Sequence, residues 1–270
     1  MDPSINPLAQ YATLPFKIIE EFGVPCGYER SFKMLPHTLL SNRFLLGINT
    51  VDLQRPQLID ICRQLDMPQD YRELFEANLA EANLVFLGFE DHEGVLIYKV
   101  YLEYWDKVKM EVSPDSIKHD PLLLHLGFKW NIQDRTKRSI AKYFCYPLLT
   151  VPDILTKISL IYEGDEGRTT ATIAKEIIKL SARKASATSF IYLEVDEENG
   201  QRRSFDINLY SAQILVGELQ PFLSTLAQSF SIQSDKLHRL YELVNNKKFG
   251  HLSGGVNKEG HDFLTVYYEM

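Results

Sequence analysis

The segment LVFLGFEDHEGVLIYKVYLEY, residues 84–104, decides the fold. Leu84–Glu90 and Val95–Tyr104 alternate with a period of two. Between them, Asp91-His92-Glu93-Gly94 is a short polar loop with Gly where a positive φ is wanted, so the pair reads as an antiparallel hairpin. In the second run Lys99, Tyr101 and Glu103 share one parity, while Tyr98, Val100 and Leu102 share the other. One face of the hairpin is polar and the other needs a cover.

Period-2 runs recur at Tyr28–Met34, Asn42–Ile48, Leu122–Ile132, Ser139–Tyr146, Ser189–Val195, Ser204–Tyr210, Phe249–Val256 and Phe263–Tyr268. Glu197-Glu198-Asn199-Gly200 and Asn257-Lys258-Glu259-Gly260 repeat the loop chemistry, which gives about five hairpins. In Ser204–Tyr210, Ser204, Asp206, Asn208 and Tyr210 oppose Phe205, Ile207 and Leu209. Helical spacing covers Pro56–Leu65, Asp70–Ala82, Asp153–Tyr162, Thr170–Ala182, Ser211–Phe230 and Ser234–Asn245, with Pro221 starting a new helix within the fifth. No linker interrupts the alternation, so residues 1–270 read as a single α+β domain.

Amphipathic helices laid on the apolar face of a long antiparallel sheet allow two outcomes. The sheet stays open with its polar parity in water, which periodicity alone favours, or it closes and turns that parity into a chamber. Composition is that of an ordinary globular protein, 45% hydrophobic and 24% charged over 270 residues. A net charge of -7 opposes a nucleic-acid partner, and any anionic ligand must meet a local cluster of Lys and Arg. Cys26, Cys62 and Cys145 are odd in number and widely spaced, so they read as buried thiols of a cytoplasmic protein with neither a disulfide framework nor a zinc site. No apolar run approaches the roughly 20 residues of a membrane span.

Tyr28-Glu29-Arg30-Ser31-Phe32-Lys33, followed by Leu40-Ser41-Asn42-Arg43-Phe44-Leu45-Leu46, resembles the cyanobactin peptide prenyltransferases, within the wider ABBA prenyltransferases. Lys99-Val100-Tyr101 is similar to the Lys-X-Tyr diphosphate pattern on strands of that fold, and the hairpin order runs on to Tyr267-Tyr268. The resemblance implies a ten-stranded antiparallel β-barrel of repeated hairpins surrounded by α-helices. It also implies transfer of a prenyl group, usually dimethylallyl, from an isoprenoid diphosphate to a peptide. Such enzymes typically take macrocyclic peptides and use Mg2+. A monomer is expected, and no protein metal motif stands in the sequence.

Breaking an allylic carbon–oxygen bond leaves negative charge on the diphosphate and positive charge on the allyl group, and each needs opposite charge in place. Arg43, Lys99 and Lys142 suit the diphosphate, with Tyr101 and Tyr210 beside it; a solvated surface cation is the alternative reading of each of the three, and weighs most for Lys142. Tyr146, Tyr192 and Tyr267 are candidates, with Tyr101 and Tyr210, for the aromatic ring that shields the cation. Glu29 matches the family's acceptor-side carboxylate and is the candidate base. Glu103, Glu194 and Asp206 would share the polar parity with it, which suits a cationic acceptor such as the guanidinium of a peptide Arg.

Donor length would depend on a large residue around Phe190–Tyr192. Two alternatives stay open: a prenyltransferase of small aromatic molecules, and a non-catalytic barrel that binds an anionic ligand. His119, His125, His251 and His261 show no ligand spacing, and Glu163–Gly167 reads as a solvated loop. The glycines of Gly250–Gly255 precede a strand and suggest a bulge or a close approach of strands.

Overall fold

A computed structural model describes residues 9–112, 120–162, 168–186, 190–198 and 203–270. The strands are β1 (Gly27–Leu35), β2 (Thr38–Leu40), β3 (Arg43–Asn49), β4 (Leu84–His92), β5 (Val95–Glu103), β6 (Leu122–Asn131), β7 (Arg138–Tyr146), β8 (Ile191–Glu197), β9 (Arg203–Asn208), β10 (Phe249–Val256) and β11 (Asp262–Glu269). Their hydrogen-bonded order is β11-β10-β9-β8-β7-β6-β5-β4-β3-β1-β2, and β11 also pairs with β1. That last pairing closes ten strands into an antiparallel barrel and leaves β2 as a short appendage on β1. Closure removes the exposed edges that an open sheet would have to protect. The closed alternative therefore holds, against the preference of periodicity alone for an open sandwich.

The helices are α1 (Ala9–Phe22), α2 (Arg55–Gln64), α3 (Gln69–Asn78), α4 (Trp105–Glu111), α5 (Val151–Ile161), α6 (Thr169–Ala182), α7 (Gln220–Ser229) and α8 (Ser234–Val244). The turn residues behave as their chemistry requires, with Gly94 at φ +92° and Gly260 at φ +81°. The Glu197–Gly200 loop lies partly, and the Glu163–Gly167 run and His119 wholly, outside the described residues.

Two compact units divide the described residues. One comprises those within 1–28, 42–113 and 123–142, the other those within 29–41, 114–122 and 143–270. In the first, Ile18 and Ile19 of α1, Leu58 and Ile61 of α2 and Phe75 of α3 bury one face of β3–β6 through Leu46, Leu87, Val100 and Phe128. In the second, Ile154 and Ile158 of α5, Ile177 of α6 and Leu223 of α7 cover Phe205, Ile207, Leu252, Leu264 and Val266. Each such side chain contributes about 1.5–3 kcal/mol when fully buried. The opposite strand face in each unit, called inner below, carries the polar parity.

Several elements depart from the sequence reading. Within Ser211–Phe230, Pro221 does start a new helix, α7, in whose first turn it lies, but the part before it is not α-helical and forms only short 3-10 turns at Tyr210–Ala212 and Val216–Leu219. Cys26 is exposed, whereas Cys62 and Cys145 are buried. Helix α1 escaped the pattern because Pro15 sits inside it. Proline has no N–H to give the carbonyl four residues back, here that of Tyr11. The Tyr98 hydroxyl supplies the missing donor, 2.8 Å from the Tyr11 oxygen. Tyr98→Phe is accordingly expected to cost about 1–3 kcal/mol by orphaning that carbonyl, measured by urea unfolding, whereas a change below 0.5 kcal/mol, about the size of an inert surface substitution, would assign it no such role.

Candidate active site

Strand register builds the first cluster. Across β3, β4, β5 and β6 the paired positions run Arg43, Glu90, Ile97, Asn131; then Leu45, Gly88, Lys99, Lys129; then Gly47, Phe86, Tyr101, Gly127; then Asn49, Leu84, Glu103, His125. Directly paired residues share a face, and rows two residues apart lie about 7 Å from each other. The inner face thus passes from cations, through aromatic rings, to an acid and an imidazole.

Arg43 and Glu90 are each only 6% exposed. Glu90 Oε2 lies 3.3 Å from Arg43 Nη2 and also accepts a short hydrogen bond from Lys99 Nζ. Arg43 Nε and Nη1 are buried without a hydrogen-bond partner. Buried donors of this kind cost about 1–3 kcal/mol each when unmet, so the guanidinium is built to receive an acceptor. Lys129, half-buried and facing Lys99 across the β5–β6 pair, adds a second ammonium. Sequence reasoning passed over Lys129; only register, which reading one strand at a time does not supply, places it there.

Glycine shapes the next row. A Cβ on Gly127 would stand 2.6 Å from Cδ1 and Cε1 of Tyr101, and one on Gly47 would stand 3.0 Å from Cε1 of Phe86. Each ring lies across a neighbouring strand where only hydrogen fits, so the two aromatics stand in the row next to the cations. Phe86 meets the His125 ring edge-on at 6.0 Å, and His125 Nδ1 is 3.7 Å from Glu103 Oε2.

The second cluster belongs to the other unit. Tyr210 donates a short hydrogen bond to Glu29 Oε1. His251 Nε2 stands 3.9 Å from the same oxygen, and its Nδ1 lies 3.0 Å from Asp206 Oδ1. The Tyr210 ring packs flat on Gly250, whose Cβ it would otherwise displace, and Tyr267 meets the His251 ring at 5.9 Å. Tyr210 lies beyond the end of β9, in a 3-10 turn, yet still reaches Glu29. Burial first, and then the Glu29 charge, holds its hydroxyl well above the usual tyrosine range, so it stays a donor. His251, which shows no metal-ligand spacing in the sequence, stands between two carboxylates, an arrangement able to relay a proton. Nearby, Ser31, Ser253 and Thr265 are buried small hydroxyl residues on the inner face.

Other candidates lie elsewhere. Tyr192 pairs with Ile207 and Glu194 with Phe205, so both share the helix-covered face rather than the polar one. Glu194 there accepts from Tyr146 at 2.7 Å and from Lys157 of α5 at 3.0 Å, and the Lys157 ammonium sits 3.5 Å from the Tyr146 ring centroid. The reason is a half-buried charge partner: α5 brings Lys157 down onto β8, which makes a carboxylate tolerable beneath a helix. Tyr146, Tyr192 and Glu194 therefore belong to a structural clasp, and Phe190 and Tyr192 are in the helix-side core where they cannot gauge a donor. Lys142 is exposed and shares the parity of the core residue Ile140, so β7 turns it away from the side on which Lys99 stands.

The tyrosines carry a testable pH signature. Burial pushes the Tyr104 and Tyr146 hydroxyls up to about 12, and those of Tyr98, Tyr192 and Tyr241 further. Between the unfolded value of about 10 and these folded ones, the unfolded chain loses protons that the folded chain keeps. Stability is therefore intact below pH 10 and falls as pH rises toward 12. Absorbance from these five tyrosinates is expected to appear together with loss of circular dichroism; their ionisation near pH 10 with the fold intact would contradict this burial.

The donor set bears on Mg2+. The inner face around Arg43 presents cations and one carboxylate already bonded to two of them. Among the described residues no three His, Cys, Asp or Glu side chains gather to ligate a metal. These residues do not fit a protein-held Mg2+.

No protein-family model matches the sequence, and neither does any curated protein. Solved structures do match. 6-Dimethylallyltryptophan synthase from Micromonospora olivasterospora, in complex with DMASPP and Trp, is 13% identical, with 90% of this chain and 81% of that one covered and a TM-score of 0.59. NotF in complex with brevianamide F and DMSPP is 13% identical over 90% and 79% of the two chains, at 0.54. The prenyltransferase PriB, in a ternary complex with L-tryptophan and dimethylallyl thiolodiphosphate, is 11% identical over 91% and 79%, at 0.53. At such identities likeness speaks for architecture, and this chain has the helix-ringed antiparallel barrel of the ABBA-type prenyltransferases.

Proposed function

We propose that this protein is a prenyltransferase that moves a dimethylallyl group, or a longer prenyl group, from its diphosphate to a side chain of a peptide, most simply a macrocyclic one. The observation that carries the reading is the inner-face row order: Arg43, Lys99 and Lys129 in the rows beside Phe86 and Tyr101. The cations take up the charge of the leaving diphosphate, and the ring faces stabilise the allyl cation while excluding water. The C1–O bond breaks with its electron pair leaving on the diphosphate. A lone pair of the acceptor forms the new bond to carbon, and the acceptor's proton passes to Glu29.

Glu29 is equipped for that step. Tyr210 fixes the carboxylate, and His251, oriented by Asp206, stands ready to take the proton onward. The carboxylates Glu29 and Asp206, gathered in one cluster, support a cationic acceptor, the guanidinium of a peptide Arg. We place the protein in the cytoplasm, as a monomer.

A small aromatic acceptor is the second reading, favoured by the fold shared with enzymes whose complexes hold tryptophan. A mass-spectrometric screen crossing dimethylallyl and geranyl diphosphate with cyclic peptides of varied side chains and with free indoles tests both. A prenyl mass on Arg-containing peptides alone is the expected result. Modification of Arg-free peptides only would end the guanidinium assignment, modification of indoles only would favour the second reading, and diphosphate binding without transfer would indicate a binding protein.

A further inference from the structure

The donor cluster contains a residue that a simple anion site would omit. Glu90 is buried, and one of its oxygens binds both Arg43 and Lys99, the two cations assigned to the diphosphate. A carboxylate on those groups lowers the net charge that they offer to an anion. It also leaves Arg43 half-engaged, with Nη2 held by Glu90 while Nε and Nη1 are buried without partners.

We infer that Glu90 is an internal counter-anion of the donor site, which occupies the two cations when the site is empty and competes with diphosphate for them when it is full. This rests on the prenyl-donor reading above. The unengaged edge of Arg43 gives diphosphate its first contacts, and Lys99 is then shared between two anions. Two consequences follow from the charge arithmetic. The empty site is not left with uncompensated buried cations, whose desolvation would destabilise the fold. The product diphosphate, which would otherwise stay on the Arg43, Lys99 and Lys129 cluster, is displaced by a carboxylate tethered at high effective concentration. Glu90 is thus a positioning residue that sets how tightly the leaving group is held.

The test is calorimetric titration of the full chain with inorganic pyrophosphate. Glu90→Gln keeps the size and an acceptor oxygen but removes the charge, and it is expected to bind pyrophosphate at least tenfold more tightly than the wild type. Turnover should then become limited by product release, with KM for the donor and kcat falling together. Because Glu90→Gln could unfold by freeing two buried cations, a second pair keeps the test decisive. Lys99→Met should lose most pyrophosphate affinity, and Lys99→Met with Glu90→Gln should regain part of it.

A merely structural Glu90 would weaken binding when replaced, in either background. Pyrophosphate affinity that disappears in Arg43→Gln but does not rise in Glu90→Gln, nor in the double variant over Lys99→Met, would overturn this inference and leave the donor site standing. No pyrophosphate binding by the wild type or any variant would overturn the donor site and the inference together.

Discussion

Glu29→Gln is expected to lower turnover by about 10²–10⁴-fold, the range for a positioned acid–base group, while pyrophosphate binding stays within about twofold of the wild type. The amide keeps the shape of the side chain and can still accept the Tyr210 hydrogen bond, so the pocket built on Gly250 survives. What it lacks is the ability to take a proton from the acceptor. Because Glu29 stands in a different cluster from Arg43 and Lys99, the loss should fall on kcat with donor affinity spared. The measurement pairs a product assay by mass spectrometry with calorimetry on the same preparation. Unchanged turnover would remove Glu29 from the chemistry, and lost pyrophosphate binding would show that the substitution had disturbed more than a proton acceptor.

How much of this could be read beforehand depended on which interactions are local. All ten barrel strands were legible, because period-2 burial and turn glycines such as Gly94 and Gly260 act within a few residues. Six helical stretches followed from their apolar spacing. Helix α1 was hidden by Pro15, whose cost is met by a hydroxyl 83 positions downstream in Tyr98, and α4 and β2 are too short to show a period.

The candidate site divides in the same way. Lys99 and Tyr101 share a parity that one strand reveals, and the structure keeps them on one face. Tyr192 and Glu194 defeated the same argument. On β8 the inner residues are the apolar Leu193, paired with Asp206, and Val195, paired with Ser204, so polarity pointed to the wrong side. Lys157, from a separate helix, is what makes that inversion stable. Lys129 and His251 emerge only from register and from three-dimensional pairing, which no single segment encodes.

Arg43 is where function and stability should part. Arg43→Met is expected to cut kcat/KM by about 10²–10³-fold, the scale for removing one fixed group that stabilises developing negative charge. Arg43→Lys should recover only a small part of the loss, because an ammonium offers a point charge in place of a planar fork of donors. Thermal stability should move the other way. Arg43 is 6% exposed, with Nε and Nη1 unmet, and an unbranched apolar side chain of similar reach relieves that desolvation while Lys99 still neutralises Glu90. Tm for Arg43→Met is therefore expected to equal or exceed that of the wild type, as buried polar groups held for function are commonly stabilised by apolar replacement. Kinetics and calorimetric unfolding on one set of variants decide the matter: a large drop in Tm with kcat/KM preserved would make Arg43 a structural partner of Glu90 and take the diphosphate away from it.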